Sequence, residues 1–316
     1  MRMKKGKRTA TKRLFLLVDK IFYKTQNPPK ETAEALSRLT VERDLSFSED
    51  FPDMKLDLLY APRPEGEKYP VIFHIHGGGF SAGDKRYRDY LCATLALETG
   101  ACVVNINHPL GPEVVWPLPL RCLVQGANWV KDHAEEHAFD VERVAVVGDS
   151  SGAYYAAMLC AVQNNPSCRE LYGDLRLTID AAAFSSGLFD LRDSLEHPLP
   201  FGITRGVCMD ITGMKVKETL QWDNLDNASP TRLITSGHPD CFVVYAEKDF
   251  FAKGQAERFI EGVREAGGKV EEVHSTKFID NHAFMLNRRS KIALEAKEKL
   301  FDFLRRAFGE KQRGEE

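Results

Sequence analysis

No run of about 18 apolar residues occurs in this 316-residue chain, so no membrane-spanning helix is expected. No two cysteines are spaced CxxC; the seven, at positions 92, 102, 122, 160, 168, 208 and 241, are odd in number and scattered. Such a set reads as reduced thiols and places the protein in a reducing cytoplasm. Neither charge is in excess: 43 basic against 46 acidic residues leave a net charge of −3. That gives no global case for a nucleic-acid partner or an anionic membrane. Internal repeats and low-complexity tracts are absent. What is present is an ordinary globular composition, 43% hydrophobic and 28% charged, in a chain long enough for a large core.

The N-terminus, MRMKKGKRTATKRLFLLVDKIFY, starts basic (Arg2, Lys4, Lys5, Lys7, Arg8, Lys12, Arg13), yet its unbroken apolar run is only Leu14 to Val18. A secretory leader needs about 7–15 apolar residues, so none is expected. Leu14, Leu17, Val18, Ile21 and Phe22 share one helical face. The expectation is a helix packing that face on the body of the protein. The sharper alternative is a surface helix touching anionic lipid.

From residue 54 short apolar runs alternate with helical ones. MKLDLLYA, VIFHI (71–75), CVVNI (102–106), RVAVVG (143–148), LTIDAAAFSS, CFVVYAEKD and KVEEVHST read as strands. Helices are expected at 118–137, after residue 152, at 254–266 and at 290–308. This alternation argues an α/β fold, a mostly parallel central sheet with helices on both faces. Two stretches break the rhythm, residues 1–50 and about 190–228. They read as an N-terminal helical cap segment and a cap insertion in a catalytic domain spanning 51–316. EKQRGEE at the end reads as a frayed tail.

Strand, GDSSG (148–152), helix is the context in which G-x-S-x-G signals a nucleophile on a tight turn. The glycines sit two before and two after Ser150, whereas Ser151 would have Asp149 and Ala153 there. Ser150 is therefore the candidate nucleophile. HGGGF (76–80), at the end of an early strand, can turn backbone N–H groups toward a developing oxyanion, with the N–H of Ser151 as a further donor. A serine also needs a base and a carboxylate to orient that base, in the order Ser, Asp/Glu, His for this fold. Asp249 directly follows an apolar strand and His282 follows the next one; Glu247 and His274 are the competitors, each placed within a strand. His76, Gly77, Gly148, Asp149 and Gly152 support the two motifs.

With HGGGF, PE (112–113), GDSSG, SP (229–230), KDFF around Asp249 and NHAF around His282, the chain resembles the hormone-sensitive-lipase-like family of α/β-hydrolases, the bacterial GDSAG esterases in particular. The resemblance runs from about residue 70 to the end. It implies an α/β-hydrolase fold with a helical cap and a cofactor-free serine carboxylesterase for short- to medium-chain acyl esters. It also implies oxyanion donors at Gly78 and Gly79 with Ser151. The chain departs from the family's pattern in GDSSGA for GDSAGG, HPLGPE (108–113) for YRLAPE, and Cys122 where a helix acid is usual. These departures leave the substrate open, and a deacetylase of acetylated carbohydrates or other natural esters is the alternative. A non-catalytic ligand receptor on the same fold is the rival from another class. The expected partner is a small ester, and a homodimer is left open.

Three further patterns are weighed. Gly77-x-Gly79-x-x-Ala82 resembles a dinucleotide fingerprint, but the next strand, ending VVNINHP, carries no acid for a ribose. His74 and His76 share a strand face, two ligands where a metal usually takes three or four. His133-Ala-Glu-Glu-His137 fits H-x-x-E-H on a helix charged around its circumference, with no third ligand evident. No metal is expected.

Overall fold

The computed structural model describes residues 9–199, 202–288 and 290–309; the basic residues from Arg2 to Arg8 and the tail 310–316 lie outside these. Eight strands form one sheet: β1 (Thr40–Ser46), β2 (Lys55–Tyr60), β3 (Tyr69–Ile75), β4 (Cys102–Ile106), β5 (Phe139–Asp149), β6 (Ala181–Ser185), β7 (Asp240–Ala246) and β8 (Val270–Ser275). Their order is β1-β2-β4-β3-β5-β6-β7-β8. β1 and β2 pair antiparallel, as do β2 and β4; every later pairing is parallel.

Every residue of β3, β4 and β6 is buried, as strands covered on both faces must be. The period-2 alternation of a strand divides them between two cores. Val71, Phe73 and Ile75 join Val104 and Ile106 on one face. Helices α4 (Leu118–Asp132), α5 (Ser151–Asn164), α6 (Pro166–Tyr172) and α10 (Gln255–Glu265) cover that face with Leu123, Met158, Tyr172 and Phe259. Ile72 and Val103 point the other way, against Leu95 of α3 (Asp89–Thr99) and Leu300 and Leu304 of α11 (Lys291–Ala307). All seven cysteines are free and buried.

Three expectations need amendment. Residues 1–50 are not all helical: α1 (Ala10–Gln26) and α2 (Pro29–Ser37) are followed by β1, an edge strand whose Glu42, Arg43 and Asp44 hide the apolar alternation. The helix expected to reach 137 stops at Asp132, and a turn closed by the Phe139 N–H on the Ala134 carbonyl feeds β5. His133 stacks on Trp129 and His137 on Phe139, so these imidazoles are packing groups beyond a helix end.

The third concerns α1, which does not pack its apolar stripe on the body. Leu17 is 54% and Ile21 60% exposed. The opposite edge is inward because polar and aromatic anchors fix it. Phe15 lies against Gly79 and Phe251. Lys12 donates to Glu113 at 2.5 Å and to the Gly111 carbonyl at 3.0 Å, and Thr9 donates to Asp210 at 3.1 Å. Asp210 belongs to α8 (Ile203–Thr212). With α7 (Leu191–Glu196) and α9 (Val216–Leu220), α8 falls in the 190–228 segment, in which no strand forms among the described residues.

Candidate active site

At the end of β5 the chain reverses into α5 through Ser150, whose φ of 53° and ψ of −120° are costly for a residue bearing a Cβ. The Ser150 N–H donates to the Ser185 carbonyl at 2.8 Å, and the Ser150 carbonyl accepts from Tyr154 N–H at 3.1 Å. A Cβ on Gly152 would run into the Ile75 carbonyl, and one on Gly148 into the Gly152 carbonyl. Strand and helix can cross this closely only with glycine at both positions, which is why the register singles out Ser150. The neighbouring Ser151 hydroxyl is buried and has no hydrogen-bond partner among the described residues.

His282 brings Nε2 to 2.8 Å from Ser150 Oγ. Its Nδ1 lies 3.0 and 2.9 Å from the two carboxylate oxygens of Asp249. Asp249 also accepts from the Phe251 and Ala252 N–H groups at 2.7 and 2.9 Å, which fixes the carboxylate before histidine is considered. The competing pair lies apart from this cluster: His274 and Glu247 face each other at 3.4 Å, both about half exposed.

Two residues that sequence reasoning did not single out hold the loops together. Asn281 accepts from the Phe250 N–H at 2.9 Å and donates to the Lys248 carbonyl at 3.2 Å, tying the His282 loop to the Asp249 loop. Arg88 donates twice to the buried Asp149 carboxylate, at 2.8 and 2.7 Å, and its third nitrogen reaches Gln26 of α1 at 2.8 Å. Asp149 accepts also from the Gly77 N–H at 3.3 Å, so one carboxylate joins the serine turn to the HGGGF loop. His76 braces that loop by stacking on His108, with ring centroids 4.6 Å apart. Gly78 and Gly79 line the same cavity as Ser150 and His282.

The sequence profile of a family described as alpha/beta hydrolase fold matches residues 72–286. The chain belongs to this family. An acetyl esterase of Salmonella choleraesuis is 29% identical over 198 residues, covering 60% of this chain and 58% of the relative. Esterase LipQ of Mycobacterium tuberculosis is 26% identical over 253 residues, 77% of this chain and 57% of its own. The match thus spans less than two thirds of either relative. Among solved structures, a hyperthermophilic esterase from Pyrobaculum calidifontis superposes with a TM-score of 0.73 at 20% identity, covering 97% of this chain and 93% of that one. A bacterial heroin esterase does so at 0.74 and 20%, covering 93% and 92%. At these identities the two structures speak for the fold.

In this α/β hydrolase the electrostatics separate the acids. Burial works against the charge of His282, but the Asp249 carboxylate outweighs it and raises the imidazole above its usual 6.5. Asp249 is lowered in turn, since His282 and the two N–H donors overcome its burial. Asp149 is likewise lowered, Arg88 overcoming burial. Asp19 of α1 goes the other way. Burial pushes it up to about 6 despite the nearby Arg88, and one of its oxygens has no hydrogen-bond partner among the described residues.

His74 and His76, the possible metal pair of the sequence, are both lowered to about 4 by burial. His74 meets Asn105 at 2.9 Å. Among the described residues no group of three His, Cys, Asp or Glu could hold a metal ion. Nor do the glycines after β3 open a helix as a dinucleotide fingerprint requires, since α3 begins only at Asp89.

Two cavities meet at Ser150. The larger, about 1250 Å³, opens past Asp19, Arg88 and Asn281. The smaller, about 60 Å³, is lined by Leu188, Leu199, Val207 and Phe251.

Proposed function

We propose that this α/β hydrolase is a serine carboxylesterase of the hormone-sensitive-lipase-like, GDSAG-type group. The observation that carries the reading is the chain of contacts from Ser150 through His282 to Asp249, at the mouth of a cavity able to hold an ester. Ser150 Oγ attacks the ester carbonyl while His282 Nε2 takes its proton. Asp249 holds the imidazole in register and offsets the positive charge that forms. The N–H groups of Gly78, Gly79 and Ser151 receive the oxyanion. His282 then protonates the leaving alcohol, and water, activated by the same base, releases the acid from the acyl-enzyme.

A small cavity of about 60 Å³ beside a large one of about 1250 Å³ favours a short acyl group on a larger alcohol. Deacetylation of acetylated natural esters is the second reading, and the acetyl esterase relatives support it. The free, buried cysteines support a cytoplasmic location. A fluorophosphonate label tests the whole reading: it should modify Ser150 alone, and a receptor on this fold would stay unlabelled. Ser150→Ala should lose on the order of 10⁶ in kcat, and retention of more than about a hundredth of the activity overturns the assignment.

A further inference from the structure

Nine large apolar side chains are exposed among the described residues, and all but Leu294 fall on three segments. These are α1, Phe250 beside Asp249, and the pair Phe278 and Ile279 ahead of His282, 79% and 81% exposed. Phe22 and Ile279 also line the large cavity that holds Ser150, so the apolar surface rims its mouth. Monomeric soluble proteins seldom gather exposed apolar groups in one place without a use for them.

The geometry of α1 is specific. At about 100° per residue, Leu14, Leu17 and Ile21 fall in a stripe roughly 60° wide facing solvent. Arg13, Lys20 and Lys24, all exposed, run along one flank of it. On the other flank Val18 and Phe22 turn toward the cavity. The charge is as polarised as the apolar surface. Nine of the 43 basic residues but only one of the 46 acidic ones fall in the first 26 positions, leaving an excess of 11 acids over bases in the rest. An apolar stripe flanked by cations, on a chain otherwise acidic, suits the headgroup boundary of an anionic bilayer, where such helices lie in the plane.

We propose that α1, with Phe250 and the Phe278–Ile279 loop, docks the protein on an anionic lipid surface with the mouth of the Ser150 cavity at the lipid boundary. A protein seated on this face would cover the mouth, whereas a lipid surface delivers apolar esters to it. Docking rests on the exposed apolar face and its flanking charge; the delivery of an ester rests on the carboxylesterase reading.

Co-sedimentation of the full chain with vesicles separates the possibilities. Phosphatidylcholine vesicles containing about 30% phosphatidylglycerol should pull the protein down, pure phosphatidylcholine should do so far less, and about 0.5 M salt should release it. The double variant Leu17→Glu/Ile21→Glu should weaken binding at least about tenfold, while its turnover of soluble p-nitrophenyl acetate stays within about twofold of the parent. If that variant misfolds, Arg13→Glu/Lys20→Glu provides the same readout from the charged flank. Protein left in the supernatant with anionic vesicles overturns the proposal, as does binding that neither variant changes. A dimer disrupted by these substitutions, with no vesicle binding, assigns the face to a second copy and overturns it too. An inactive parent that still sediments refutes the esterase reading and leaves the docking face standing.

Discussion

Two carboxylates stand near Arg88, Asp149 from the sheet and Asp19 from the N-terminal helix, and the two regions treat them differently. Asp149 takes two hydrogen bonds from the guanidinium and one from the Gly77 N–H, and its pKa is lowered. Asp19 lies in the same field with one oxygen unpartnered, and burial lifts it to about 6. The sheet region fixes its charge with directed bonds, so the positions of the serine turn and HGGGF loop are over-determined. The N-terminal helix sits on that framework through a few anchors, with an acid raised by burial on its inner side and an apolar stripe outside. Directed bonds pin the first region; a few anchors hold the second.

Substitutions can break this contrast, beginning in the sheet. Asp249→Asn should cost on the order of 10⁴ in kcat, or about 5.5 kcal/mol of barrier, through loss of the imidazole's orientation. The same variant should move the acid limb of the pH profile. The base must be neutral, and Asp249 raises His282, so parental kcat/KM should fall as pH drops through a midpoint above 6.5. Without the carboxylate that midpoint should shift to lower pH, and an unchanged limb would mean that another group controls it. Next, Arg88→Leu strands Asp149 as a buried, unpaired charge. A loss of roughly 3–5 kcal/mol in denaturant unfolding is expected, and a loss below about 1 kcal/mol would remove Arg88 as the keystone of the sheet region.

The smallest effect is expected in the N-terminal helix. Asp19 has a folded pKa of about 6 against an ordinary 3.8, so the folded state holds the extra proton between these values. Stability should therefore decline as pH rises through that window, and the full penalty applies above it. Asp19→Asn should gain about 1–2 kcal/mol at pH 8 and almost nothing below pH 4. An equal gain at both pH values would show that packing, not charge, is responsible.

The parts of this arrangement that are local in the chain were legible in the sequence. The strand runs from β2 to β8 announce themselves as short apolar stretches set between helical ones, and the glycine spacing distinguishes Ser150 from Ser151 because both glycines stand within two residues of the turn, although one of them makes room for the distant Ile75 carbonyl. Strand order pointed to Asp249 and His282, which lie within hydrogen-bonding distance of each other and, through His282, of Ser150. Arg88 was not legible, because its partner lies 61 residues away and nothing beside it marks it as buried. Asn281 was hidden for a similar reason, since its meaning depends on a loop some thirty residues earlier. The orientation of α1 was misread because helical periodicity reveals that one face is apolar but not which face meets the body. Phe15 and Lys12, outside the stripe, decide that.

The free cysteines give the molecule a chemical clock. All seven are buried, and burial pushes the thiols of Cys92, Cys122, Cys168 and Cys241 upward. Thiolate is the reactive form, so an alkylating reagent meets almost none of it while the chain stays closed. Each modification then records an opening event, and because the cysteines are spread from α3 to β7, the order in which they react maps which part of the fold opens first.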